Sequence, residues 1–138
     1  MANDTTVDFV TYDPRSDEFV LYLVEDGPWP SSDSEWRKCL KAIQDHILEV
    51  VDSAVDGGVA KKFPDSKGKP IRIQLDAPHG TPVQVEELVA AVRRFLADDQ
   101  EYRKAIGESS NIKGLRLVTG KELGRFQGDC RFSKPLDP

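Results

Sequence analysis

The chain has 138 residues, of which 38% are hydrophobic and 31% charged, with a formal net charge of -5. One domain of ordinary globular composition is expected, since a chain of this size buries roughly two thirds of its unfolded surface without staples. The acidic balance disfavours nucleic acid as a partner, and no stretch approaches the roughly 18 apolar residues of a membrane span.

The segment Met1-Ala2-Asn3-Asp4-Thr5-Thr6 lacks a basic start and an apolar stretch, so no signal peptide is expected. Val7 to Tyr12 reads as a first strand of β-branched and aromatic residues. Asp13-Pro14-Arg15-Ser16-Asp17 is dense in turn formers and predicts a hairpin to the second strand. That second strand, Phe19 to Val24, is apolar at every position, the mark of a strand buried on both faces. Glu25-Asp26-Gly27-Pro28-Trp29-Pro30 stops it abruptly.

Ser32 and Glu35 have capping-box spacing. Trp36, Leu40, Ile43, Ile47, Val50 and Val51 then recur at helical steps, predicting an amphipathic helix closed by Gly57-Gly58. Lys61 to Lys69 reads as a polar loop, and Ile71, Ile73 and Leu75 alternate with Arg72, Gln74 and Asp76 as a third strand. A second helix is expected with Thr81 as N-cap, Pro82 at its first position and Gln84 completing a capping box. Val85, Leu88, Val89, Val92, Phe95 and Leu96 form its apolar stripe. Asp98-Asp99 marks a break, Glu101 to Ile106 a short further helix, and Leu115 to Val118 a fourth strand.

The order is ββαβαβ. Right-handed crossovers place both helices on the same side of the strands. The expected fold is an α/β (α+β) two-layer sandwich: a mixed four-stranded sheet, two helices on one face, and the first strand as antiparallel edge. Residues 1–118 form the domain and residues 119–138 a C-terminal tail. This arrangement leaves Tyr12, Val20, Tyr22 and Val24 on a face without helices. The tail, with Phe126 and Phe132, and a second subunit are the two candidate covers. Charge is uneven: residues 1–58 carry net -9 and residues 103–134 net +5. Side-by-side packing of the two ends accounts for this, and an acidic partner for the basic end is the other reading.

The segments Val7-Asp8-Phe9, Leu23-Val24-Glu25-Asp26-Gly27-Pro28-Trp29, Gly57 with Phe63-Pro64, and Gly68-Lys69-Pro70-Ile71-Arg72-Ile73-Gln74-Leu75 occur in this order along the chain. In that combination residues 7–118 resemble a small bacterial domain family of unknown function. The resemblance implies a bacterial, cytosolic, single-domain protein with a compact α/β fold. It implies no activity. The tail departs from the family's usual ending.

In open α/β sheets, ligands gather beyond the carboxyl ends of parallel strands. There the chain offers Glu25, Asp26 and Trp29 after the second strand and Asp76 and His79 after the third, with Thr119 and Lys121 after the fourth. Carboxylates with one His suit acid/base work or a divalent metal, but no metal-ligand spacing is present and no cofactor is expected. Trp29 is either a ligand or interface anchor or a staple onto the first helix, and Trp36 belongs to the helix stripe. Cys39 and Cys130 form no C-x-x-C pair and fit a reduced, cytoplasmic protein. His46 lacks a second ligand at helical spacing, Cys130 lacks a neighbouring His, and Arg93-Arg94 reads as a solvated face. Two functions follow. The first is a non-enzymatic protein-interaction or regulatory module, with a homodimer or another protein as partner. The alternative is a small-molecule or metal-binding protein, or a hydrolase, with its site at the strand ends.

Overall fold

The computed structural model describes residues 9–122. Residues 7 and 8 of the first expected strand, and Phe126, Cys130 and Phe132 of the tail, lie outside the described residues. The elements are β1 (Phe9–Asp13), β2 (Glu18–Val24), α1 (Asp33–Asp56), α2 (Gly58–Lys62), a 3-10 turn (Pro64–Ser66), β3 (Lys69–Asp76), α3 (Val83–Asp98), α4 (Gln100–Glu108) and β4 (Ile112–Thr119). The chain is mixed α/β. Its four strands form one mixed sheet in the order β1-β2-β3-β4. β1 runs antiparallel to β2, and β2, β3 and β4 are parallel.

Local chemistry explains the ends of α1. The Ser32 hydroxyl accepts the Glu35 amide at 3.3 Å, meeting one of the donors that a helix start leaves free. Gly57 closes the helix in the left-handed region at φ 102°, and its amide donates to the Ser53 carbonyl at 3.2 Å. The expected polar loop beyond it begins with α2 instead. Val59 is buried there, and Phe63 lies 6.2 Å from the Phe19 ring. Tertiary burial holds a single turn of helix that is too short to show a period.

α3 starts one residue later than expected. Pro82 is its N-cap and no side chain caps it. The amides of Val85 and Glu86 donate to the Pro82 carbonyl at 3.0 and 3.1 Å. Asp99 interrupts the helical run in extended conformation and caps α4, its carboxylate accepting the Tyr102 amide at 3.0 Å.

One apolar cluster holds the molecule together. It takes Phe19, Leu21 and Leu23 from β2, Ile71, Ile73 and Leu75 from β3, and Leu117 from β4. Ile43, Ile47, Val50 and Val51 of α1 and Val85, Val89, Val92 and Leu96 of α3 pack against them. The strand members alternate, as a sheet with one core face requires, and Leu21, Ile73 and Leu117 are register partners. Each such side chain contributes roughly 1.5–3 kcal/mol by burial.

The other face of the sheet carries Glu18, Val20, Tyr22 and Val24 of β2, Arg72, Gln74 and Asp76 of β3, and Arg116 and Val118 of β4. Tyr12 does not belong to it. The hairpin register pairs Tyr12 with Phe19, and directly opposed residues share a face. Tyr12 therefore stands on the core side, against the expectation that grouped it with Val20, Tyr22 and Val24. A one-residue offset in a hairpin inverts every side chain of the strand.

On this second face Arg72 and Arg116 are register partners on adjacent strands. Two cations in that position repel unless a carboxylate lies between them. Glu18 provides it, accepting Arg72 at 2.9 Å and Arg116 at 2.7 and 2.9 Å. Asp13 accepts Arg72 as well, at 3.1 Å. One charge network thus ties all four strands. The Arg116 hydrogen bonds hold the Glu18 carboxyl at about 2, below its ordinary 4.5, against the opposing effect of burial. The Arg72 side chain is 4% exposed and that of Arg116 is 41% exposed, so Arg72 carries most of the penalty if Glu18 is lost.

Replacing Glu18 by Gln should cost about 3–5 kcal/mol in urea unfolding, the usual consequence of removing one partner of a buried ion pair. The wild-type pH dependence follows from the same group. A depressed carboxyl stabilises the fold above its unfolded pKa, so Glu18's contribution is complete above pH 4.5 and disappears as pH falls toward 2. Unfolding free energies measured between pH 6 and pH 2.5 should fall steeply in the wild type and much less in Glu18→Gln.

Candidate functional site at the ends of β3 and β4

Alternation along β3 puts Arg72, Gln74 and Asp76 on one face, running toward the carboxyl end of the strand. Beyond β4 the chain turns sharply. Thr119 and Glu122 cap each other: the Glu122 amide donates to the Thr119 hydroxyl at 3.1 Å, and the Thr119 amide to the Glu122 carboxylate at 2.9 Å. Arg93 of α3 grips the Glu122 carboxylate with two bonds of 3.2 and 2.8 Å, and donates to the Leu117 carbonyl at 3.1 Å. Lys121 pairs with Glu86 at 2.8 Å. Arg93 is therefore a structural clamp and not part of a solvated face.

This clamp presses the turn against Asp76. A Cβ added at Gly120 would collide with the Asp76 carboxylate and lie 3.5 Å from Gln74 Nε2. Only glycine allows that approach. The result is an open depression of about 710 Å³, lined by Gln74, Asp76, Pro78, Thr81, Gly120 and Lys121 among others. Gln74 is 7% exposed. Its Nε2 donates to Asp76 Oδ1 at 3.0 Å, while its buried Oε1 has no hydrogen-bond partner among the described residues. Burial pushes the Asp76 carboxyl above its ordinary range, countered in part by the Gln74 hydrogen bond and the charge of Arg72.

Of the strand-end residues singled out in the sequence, Asp76 and Lys121 line this depression, and Glu25, Asp26, Trp29, His79 and Thr119 are not among its described lining residues. Glu25 is half-buried, and its amide donates to the Asp76 carbonyl at 2.8 Å. Asp26 and His79 are exposed. Trp29 stacks on Trp36 of α1 with ring centroids 5.9 Å apart and planes 9° from parallel, the packing of a staple. Among the described residues no three His, Cys, Asp or Glu side chains are grouped so as to hold a metal. Cys39 packs against the core, and burial, then the nearby Glu25, pushes its thiol up, which makes it a poor nucleophile.

Sequence reasoning missed Gln74 and Gly120. The Thr-x-x-Glu spacing of Thr119 and Glu122 was a readable signal for the turn. Nothing local announces that the turn returns to Asp76. A second cavity of about 440 Å³ lies between α3, α4 and β4, with Arg93, Arg103 and Arg116 around Leu96, Ile106 and Leu115. Among the described residues, two of these arginines, Arg93 and Arg116, are already engaged by Glu122 and Glu18. No family model, curated protein or solved structure matches this chain.

Gly120→Ala should cost roughly 1–3 kcal/mol in chemical unfolding, because the methyl displaces a half-buried carboxylate from a packed site. Gly114→Ala, with nothing within 4 Å of the added atom, should stay within about 0.5 kcal/mol of the wild type.

Proposed function

We propose that this protein binds a small molecule in the depression at the carboxyl ends of β3 and β4. In this reading the chain is a two-layer α/β sandwich with a ββαβαβ core order, and a member of the small bacterial family that its sequence resembles. The observation that carries the reading is the Gln74 side chain, 7% exposed and with its Oε1 unpartnered among the described residues. A buried acceptor without a partner costs about 1–3 kcal/mol. Such groups are uncommon in folded proteins and call for a reason. A ligand that supplies the missing donor is one. The position agrees with the tendency of open α/β sheets to bind ligands beyond strand carboxyl ends.

Binding is favoured over hydrolysis. Among the described residues the titratable side chains lining the depression are Asp76 and Lys121, and Lys121 is paired with Glu86. Among the described residues no hydrogen bond joins a nucleophile to a base there. The interaction module, with a homodimer through the second sheet face, takes second place. Val20 is fully buried and Tyr22 and Val24 are half-buried, so these three side chains offer little free apolar surface for a second copy.

A thermal-shift screen of the full chain against small metabolites tests the reading. At one hundred times its Kd a ligand adds about 2.7 kcal/mol, which is a rise of roughly 9 °C for a domain of this size. The shift should vanish in Gln74→Leu and Asp76→Ala proteins whose circular dichroism remains native. Stabilisation that persists in both folded variants would place the ligand elsewhere and defeat the proposal.

A further inference from the structure

Resting on the small-molecule reading, we propose that the site takes an organic cation carrying at least two N–H donors, as a guanidinium or primary ammonium group does. The orientation of the Gln74 amide decides the polarity of what is missing. Nε2 donates to Asp76 Oδ1 at 3.0 Å, and the reverse orientation would set two oxygens against each other. The group left without a partner is therefore the acceptor, Oε1.

Asp76 beside it takes part in no ion pair with the described residues, although both nearby cations are in use. Arg72 is held by Glu18 at 2.9 Å and Asp13 at 3.1 Å. Lys121 is held by Glu86 at 2.8 Å. The wall of the depression thus holds a carboxylate with a neutral acceptor buried beside it, which a donor reaches by displacing the Gln74 side chain slightly. An anion would be repelled, and an apolar ligand would leave both acceptors bare. A neutral alcohol could meet one acceptor and leave the charge unbalanced. A cation with two N–H groups meets both through charge-assisted bonds. Because burial pushes the Asp76 carboxyl up, affinity for a cation should weaken as pH falls and that carboxyl takes its proton.

The test is an NMR titration of the full chain with agmatine and with putrescine, using acetate and glycerol as anionic and neutral controls. Saturable shifts of the Gln74 side-chain amide and the Asp76 carboxyl with either cation are expected, with none from the controls. Asp76→Asn and Gln74→Leu should each weaken binding at least tenfold. Either variant suffices if the other fails to fold. Shifts produced by acetate or glycerol and not by the cations would overturn the cation assignment while leaving a small-molecule site in place. Silence from every probe, together with an empty thermal-shift screen, would end both readings.

Discussion

The architecture depends on one placement of charge. Arg72 and Arg116 stand opposite each other on neighbouring parallel strands, on the same face of the sheet. Such a pair is tolerable only with a carboxylate between them, and Glu18 fills that role with three hydrogen bonds to the two guanidiniums. Asp13 adds a bond from β1. Each strand supplies one member, so register errors of a single residue would strand at least one buried charge. Apolar packing gives the sheet its stability, and this network makes its register specific.

Consequences of that network extend along β3. Arg72 is committed at one end and makes no ion pair with the carboxylate at the other, which feels only its charge. Gln74 bridges the interval and turns its amide nitrogen to Asp76. The second face of β3 therefore runs from fully matched charge to an acceptor pair with one negative charge and no cation of its own. The same face is structural at its amino end and chemically open at its carboxyl end, where α/β sheets commonly bind ligands.

The open end is held rigidly. Thr119 and Glu122 close the turn on themselves, Arg93 fastens it to α3, and Lys121 adds a pair with Glu86. Gly120 then meets the Asp76 carboxylate at a distance that excludes a side chain. Sites mounted on packed elements and supported by such secondary bonds keep their geometry without the ligand. The retained cost of the Gln74 acceptor fits that picture, since a flexible site would relax to hide it.

Sequence alone determined what depends on near neighbours. The alternation in β3, the stripe of α1, the Ser32 cap, the Gly57 stop and the break at Asp99 all rest on interactions within a few residues, and all could be read from spacing. It also determined the antiparallel hairpin, because the residues between Asp13 and Glu18 are strong turn formers. Where the outcome needed distant contacts, only the tertiary structure decided. The face of Tyr12 followed from a register set across the hairpin, and α2 exists because Val59 and Phe63 reach the core. Thr81 became a wall of the depression once α3 started at Val83. Glu25, Asp26, Trp29, Asp76 and His79 share one end of the strands in sequence logic, yet only Asp76 meets the depression, and its companions there, Gln74 and Gly120, look like an ordinary strand residue and a loop glycine. Asp76 and Gly120 are brought together by a parallel crossover, and closure over such a separation is settled by global packing, which no local pattern encodes.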